Sequence, residues 1–149
     1  MGDTIVAELS RYLFLAGALP CIVLGIAHVL ATPLTPEQAK GLSPRDPEYR
    51  QSMSQQTVLL TRRVNLWSGW AGFNLSHSLG VLLFGVVVLL AGRSTAAFQA
   101  NGPFVPFAVV VCAAYLAIGL RYWFRTPIVG ISISGACFVA SWALRMLAS

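Results

Sequence analysis

The chain of 149 residues is 56% hydrophobic and 10% charged, whereas about a quarter of the residues of an ordinary soluble domain are charged, so a soluble class is excluded. The formal net charge of +5 does not indicate a nucleic-acid partner, because the basic residues cluster at the ends of apolar runs. Cys21, Cys112 and Cys137 lie inside apolar segments without a CxxC pair, which predicts small buried side chains and no secreted-type disulfide framework.

The first apolar run covers residues 12–31, and its length matches the roughly 20 residues that cross about 30 Å of hydrocarbon. A cleaved signal peptide is the alternative, because residues 29–31 resemble a cleavage site. Asp3 and Glu8 make the leader acidic for a signal peptide, and His28 would lie close to the cut. We therefore expect a retained first transmembrane helix.

Pro20 removes a backbone hydrogen bond from this first helix, and we expect a kink there. Four residues, most of them small, recur along one stripe of the helix: Gly17, Cys21, Gly25 and His28. Small side chains at this spacing let a second helix approach closely. The stripe therefore predicts that His28 faces the helix bundle rather than lipid.

Residues 32–65 form the one extended polar segment of the sequence, and Asp46-Pro47 within it is a helix-start signal. From Pro47 onward apolar side chains recur at helical spacing, namely Tyr49, Met53, Leu60, Val64 and Trp67, with Arg50, Gln51, Gln55 and Arg62 on other faces. The pattern predicts an amphipathic cytoplasmic helix that lies at the membrane surface and continues into the second transmembrane helix.

The second apolar run, Leu66–Ala91, is long enough to cross a bilayer but carries polar side chains in its first half, which predicts a position in the centre of a bundle. At about 100° per residue, one sector of this helix collects Trp67, Trp70, Asn74 and His77. Another sector collects the small residues Gly69, Gly72, Ser76 and Gly80. We expect a neighbouring helix to pack closely against this second sector.

Two further apolar runs, residues 104–124 and 127–147, predict the third and fourth transmembrane helices. The third ends in aromatic residues beside Arg121 and Arg125, as helices do at headgroup level. Thr126-Pro127 starts the fourth at once, so the two must form an antiparallel hairpin. On the fourth helix we expect a small-residue packing face formed by Gly130, Ser132, Ser134 and Ala136. The predicted fold is all-α, one domain with four transmembrane helices in an antiparallel bundle.

The distribution of basic residues predicts the orientation of the bundle. With four spans, both termini share one side with Arg11, Arg93 and Arg145, and the other side holds Lys40, Arg45, Arg50, Arg62, Arg63, Arg121 and Arg125. The positive-inside rule then places the termini outside and the loop of residues 32–65 in the cytoplasm. The excess of arginine over lysine, with much alanine, indicates a GC-rich bacterium and hence a bacterial plasma membrane.

Two histidines inside apolar segments are the candidate site residues, together with Asn74 and Trp70. Ionisable side chains within a span mark functional sites by default, which favours a polar pocket that binds a ligand or handles a proton. We favour the structural alternative, an interhelical hydrogen-bond clasp, because a neutral histidine is stable between helices once its nitrogens have partners. Asn74, one turn from His77, is a candidate partner, and so is a hydroxyl group on another transmembrane helix.

Haem b is a sharper hypothesis, with His28 and His77 as axial ligands. Axial ligands must lie at similar depth. His28 lies three residues from Ala31, but His77 lies eleven residues beyond Leu66, so the depths would differ by roughly 12 Å if both helix ends lie at one level, and by less if residues 66–69 belong to the interface. We expect no metal site, because no carboxylate falls inside any predicted span and Cys21 is two turns from His28.

Three segments carry a family resemblance: the WxGFNxSHSxG motif from Trp70 to Gly80, the Gly25-Ile-Ala-His28 segment, and Arg121-Tyr-Trp-Phe124 followed by Pro127. On these residues the chain resembles a family of small uncharacterised bacterial integral membrane proteins. The resemblance implies a four-helix membrane topology and carries no activity, substrate or cofactor.

The sequence lacks a P-loop, a dinucleotide fingerprint, a hydrolase elbow and a zinc motif. The leading hypothesis is therefore a non-enzymatic accessory, helper or scaffold protein whose partners are the lipid bilayer and other membrane subunits or further copies of itself. One alternative is a redox or small-ligand-binding module that uses His28, His77 and Asn74. A second is transport of a small molecule or of protons by an oligomer, because four helices enclose only a narrow pocket.

Overall fold

The computed structural model describes residues 2–147, with side chains from residue 4 onward. Its elements in chain order are α1 (Gly2–Ala31), α2 (Pro47–Gln55), β1 (Thr57–Val58), β2 (Thr61–Asn65), α3 (Leu66–Ala91), α4 (Thr95–Ala100), α5 (Phe104–Tyr122) and α6 (Arg125–Leu147). Over the described residues, α1, α3, α5 and α6 are long and apolar enough to cross a membrane. The predicted all-helical fold with four such helices is confirmed.

The described chain divides into two compact units by its internal contacts. Unit 1 contains the chain up to Leu24 and from Val81 onward, and unit 2 contains Gly25–Gly80. Helices α1 and α3 each contribute one part to unit 1 and the other part to unit 2. The single domain expected from the sequence remains a prediction.

The core of unit 1 is apolar and centres on Phe14, whose ring packs against those of Phe98, Phe104 and Phe138 at centroid distances of 5.4, 6.3 and 5.6 Å. Gly17 and Cys21 are buried, as the stripe on α1 predicts. A Cβ on Gly17 would lie 2.5 Å from the Phe138 ring, so this position requires glycine. The part of the stripe within unit 1 is therefore a close-packing surface for α6.

Polar side chains in unit 1 donate to backbone carbonyls outside their own helix. Ser10 Oγ donates to the Ser141 carbonyl at 2.7 Å, and Ser141 Oγ donates to the Ser10 carbonyl at 2.8 Å, which joins α1 to α6. Arg11 donates through Nη1 to the Gly92 carbonyl at 3.1 Å and pairs with Glu8 at 2.8 Å. Arg11 thereby satisfies a carbonyl that the end of α3 leaves without a helical partner.

The predicted amphipathic helix is only partly present in unit 2. Asp46 Oδ1 accepts from the Glu48 N–H at 2.9 Å and Pro47 opens α2, so the predicted start is confirmed. The helix ends at Gln55 and does not continue into α3, which corrects the prediction. Residues 57–65 instead form an antiparallel hairpin, β1 with β2, whose β-branched side chains favour strand over helix. Apolar residues within the hairpin matched a helical period by coincidence.

Arg50 organises the loop before α2. Its side chain is 9% exposed, although the sequence pattern places it on a polar helix face. Its Nε donates to the Pro36 carbonyl at 2.8 Å, and its Nη1 donates to the carbonyls of Pro44 and Arg45 at 2.8 and 3.1 Å. One guanidinium therefore satisfies three loop carbonyls that have no place in a helix or strand.

The small-residue sector predicted as the packing side of α3 is exposed. Gly69, Gly72, Ser76 and Gly80 all lie on the outside of unit 2, and a Cβ on Gly72 or Gly80 would meet no atom within 4 Å. Trp67, Ala71 and Ser78 are buried instead. Glycine can face lipid without penalty, whereas the polar side chains need partners and so determine which side of the helix turns inward.

The last two long helices differ from their predicted ranges by two residues at their junction. α5 ends at Tyr122 because Trp123 is extended, and the Trp123 N–H donates to the Gly119 carbonyl at 2.9 Å. α6 begins at Arg125, which places Pro127 within its first turn, where a missing N–H costs nothing. Of the predicted packing face on α6, Ser134 is buried, but Ser132 and Ala136 are exposed.

Candidate functional site

The polar side chains predicted as site residues meet within unit 2. His28 lies in the last turn of α1, and Asn74 and His77 lie in the first half of α3. His28 Nε2 is 2.9 Å from Asn74 Oδ1, a hydrogen bond between the two helices. The centroids of the His28 and His77 rings are 5.3 Å apart. We call His28, Asn74 and His77 the polar cluster.

The amide of Asn74 is oriented by its own helix. Its Nδ2 donates to the Trp70 carbonyl at 2.8 Å, which leaves Oδ1 directed at His28 as an acceptor. We therefore assign the proton of this interhelical bond to His28 Nε2. In the neutral ring Nδ1 of His28 then carries no proton, so it is the atom of this ring that can accept one.

The His77 ring lies beside this bond and contacts residues of both helices. The His77 ring meets the His28 ring edge to face, with 66° between their planes. On its own helix it stacks on Phe73, with centroids 6.3 Å apart and planes 11° from parallel. His77 thus lies between an aromatic ring of α3 and the histidine of α1.

Trp70 belongs to the site through its backbone, because its carbonyl fixes Asn74. Its ring packs against Trp67 at a centroid distance of 5.2 Å, and Trp67 Nε1 donates to the Leu34 carbonyl at 3.2 Å. The two indoles therefore connect the first turns of α3 to the loop that follows α1. Amphipathic rings of this kind are typical of membrane–water interfaces.

Two hydroxyl groups that the sequence interpretation missed support the cluster. Thr32 Oγ1 donates to the His28 carbonyl at 2.7 Å, and Ser78 Oγ donates to the Asn74 carbonyl at 2.8 Å. Each bond joins a residue to the carbonyl four positions earlier, so the spacing in the sequence was the available signal. The two hydroxyl groups are thereby satisfied at the backbone of His28 and Asn74, the residues that form the interhelical bond.

The rings of His28 and His77 are in contact, so the separation of roughly 12 Å does not occur, which agrees with the alternative that residues 66–69 lie beyond the level of the His28 side chain. Leu66 lies eight residues before Asn74, so α3 extends about 12 Å beyond the level of the His28–Asn74 bond. The larger separation assumed that both helix ends lie at one level, whereas the start of α3 packs against loop residues such as Leu34.

The cluster does not fit a haem between the two histidines as they are placed. A macrocycle would have to lie between the rings, but these meet edge to face, and His28 Nε2 already donates to Asn74. Among the side chains of residues 4–147, no group of three or more His, Cys, Asp or Glu is placed to hold a metal ion. The arrangement can instead hold two helices together and accept a proton at an imidazole nitrogen.

The comparisons with known proteins add no relative to this picture. No protein-family model, no curated protein and no solved structure matches the chain. The resemblance to small bacterial membrane proteins therefore remains a prediction from the motifs.

Proposed function

We propose that this chain is a multi-pass protein of the bacterial plasma membrane in which α1, α3, α5 and α6 cross the bilayer as an antiparallel bundle. The sequence supports this, since no Asp, Glu, Lys or Arg occurs between Arg11 and Glu37 or between Arg63 and Arg93. Large apolar side chains such as Val23 and Phe73 are 63% and 70% exposed, as expected of residues that face lipid. By the positive-inside rule the termini lie outside and residues 32–65 in the cytoplasm.

Within this membrane protein we assign the polar cluster a structural role, and the chain a non-enzymatic role as an accessory or scaffold subunit. The hydrogen bond from His28 to Asn74 carries this assignment, because it joins α1 to α3 and satisfies His28 Nε2 and Asn74 Oδ1 together. The Asn74 Nδ2 donates to the Trp70 carbonyl of its own helix. The partners are lipid and other membrane subunits or further copies of this chain.

A double-mutant cycle on His28→Ala and Asn74→Ala tests the structural role. Each single change is expected to lower the free energy of unfolding by about 1–2 kcal/mol, because one polar group loses its interhelical partner. The double variant should lose little more than either single variant. The measurement is thermal unfolding in detergent micelles, with the folded fraction at each temperature read by size-exclusion chromatography.

Ser76→Ala is the matched control for this cycle, because Ser76 is exposed and bonds only within α3, to the Phe73 carbonyl. It should leave the unfolding midpoint near that of the parent protein. Fully additive losses from His28→Ala and Asn74→Ala would show that the two side chains act separately, and the structural assignment would then fail.

The contact between the His28 and His77 rings favours a second candidate, a site that binds a small ligand or handles a proton, including transport by an oligomer. His77→Phe keeps an aromatic ring but removes both nitrogens, so it separates packing from chemistry. If this candidate holds, proton flux into liposomes should be lost in the variant while its folded fraction is unchanged. Absence of flux from the parent protein would reject transport.

A further inference from the structure

The hairpin of β1 and β2 in unit 2 turns through two fully exposed leucines. Leu59 and Leu60 connect the strands and are 110% and 95% exposed, more than any other large apolar side chain among residues 4–147. Two-residue hairpin turns favour asparagine, aspartate and glycine, which adopt the required backbone conformations easily. Neither turn preference nor packing within the described chain therefore accounts for leucine at both positions, and exposed apolar side chains of this kind mark interaction sites.

The strand that follows this turn is cationic. β2 carries Arg62 and Arg63, both exposed, in a part of the hairpin where the register of the strands shifts. The sequence contains no Asp or Glu between Glu48 and Ser149, so the hairpin has two positive charges and no carboxylate. Apolar side chains beside cations are typical of segments that bind an anionic lipid surface, because burial of apolar area and electrostatic attraction add there.

The connection of the hairpin to α3 holds the turn close to the membrane. β2 ends at Asn65 and α3 begins at Leu66, so no linker separates them. The Leu66 N–H donates to the Gln56 carbonyl at 2.8 Å, which ties the start of α3 to the residue before β1. Five extended residues span about 16 Å, so the turn lies within about this distance of the first turn of α3. The tryptophans of that helix are typical of the membrane–water interface.

We propose that the hairpin inserts Leu59 and Leu60 into the headgroup layer of the membrane that α3 crosses, with Arg62 and Arg63 bound to the phosphates of anionic lipids. The inference rests on the proposed insertion of α3 in a bilayer. Insertion removes the two leucines from water, and each arginine is expected to favour the inserted state about five-fold. The hairpin thereby anchors the cytoplasmic end of α3.

Quenching of a fluorescent label by brominated lipid tests the proposal on the full chain reconstituted into vesicles. Leu60→Cys is labelled with bimane, and the parent protein, labelled in the same way with its own three cysteines, gives the background. In vesicles of brominated phosphatidylcholine and phosphatidylglycerol the label should lose about half of its fluorescence or more. A label on Gln51→Cys, at an exposed position of α2, is the control and should lose little.

Charge variants of the labelled chain test the role of the arginines. Arg62→Gln together with Arg63→Gln should lower the ratio of inserted to free hairpin by about 30-fold. Lys40→Gln together with Arg45→Gln removes the same charge from exposed positions of the preceding loop and should change the ratio little. Vesicles of phosphatidylcholine alone should lower the ratio as the first pair of changes does. Equal ratios in both kinds of vesicle would overturn the binding of anionic lipid.

Extraction with alkaline carbonate separates a failure of this inference from a failure of the proposed function. Release of the chain from the vesicles would show that α3 does not cross the bilayer, which would reject the membrane assignment and this inference with it. Retention of the chain with an unquenched label at position 60 would overturn the insertion alone and would indicate a protein partner for the hairpin. Equal quenching at positions 51 and 60 would overturn the assignment of the anchor to the turn.

Discussion

Replacement of Gly85 by leucine is expected to destabilise the protein far more than the same replacement at Gly80, although both glycines lie on α3. A Cβ on Gly85 would lie 2.6 Å from Ile22 Cγ1 and 3.2 Å from the Ala18 carbonyl oxygen of α1. The Ile22 side chain could rotate away, but the backbone of α1 could not. The two helices would have to separate, which we expect to cost about 3 kcal/mol or more.

Gly80→Leu and Gly72→Leu are the matched controls, because a Cβ at either position meets nothing within 4 Å. Leucine also has the higher helix propensity, so these variants should be neutral or slightly more stable. Thermal unfolding in detergent, monitored by tryptophan fluorescence, gives the comparison. Similar losses at positions 72, 80 and 85 would show that the packing side of α3 has been misidentified.

The long helices could be predicted because one strong signal in the sequence, the length of each apolar run, determines them. An apolar run of about 20 residues is nearly always helical, and Leu66–Ala91 has the same bounds in the sequence interpretation and in the structure. The exact residue at which a helix ends depends instead on the backbone conformation of single residues. Trp123 takes an extended conformation, so α5 ends two residues before the predicted limit.

The way α3 faces its neighbours could be predicted only in part. The sector with Asn74 and His77 is oriented toward α1, as its composition indicates. The glycine sector was expected to face a second helix, because small residues permit close approach. Small size permits contact but does not require it, whereas a polar amide in an apolar environment requires a partner. Gly85, which does lie against α1, belongs to a different repeat, in which the small residues Ala71, Ser78, Gly85 and Gly92 recur every seven positions and are all buried.

The polar segment of residues 32–65 was the least predictable part of the chain. Its helix-start signal at Asp46-Pro47 acts locally and was recognised. The hairpin is local, but its turn residues, Leu59 and Leu60, carry no turn signal. The burial of Arg50 depends on residues that are more distant in sequence, such as Pro36. No periodicity marks a side chain whose partners are loop carbonyls.

Replacement of Arg50 by methionine is expected to release the loop that precedes α2. Three carbonyls, those of Pro36, Pro44 and Arg45, would lose their donor at once. Hydrogen bonds to a charged group each contribute about 1.5–3 kcal/mol, so a local loss of about 3 kcal/mol is a modest expectation. This loss corresponds to a roughly hundred-fold larger population of the open loop, and hence to roughly hundred-fold faster amide exchange.

Hydrogen–deuterium exchange measures this opening at two amides inside the loop. The Leu42 N–H donates to the Ala31 carbonyl at 3.1 Å, and the Ser43 N–H donates to the Lys40 carbonyl at 2.9 Å. Arg62→Met removes the same charge from an exposed position in β2 and should leave both amides protected. Arg50→Lys should fail to restore protection, because an ammonium group lacks the planar fork that reaches these carbonyls together. Unchanged exchange at both amides in Arg50→Met would show that the loop holds its structure without the guanidinium.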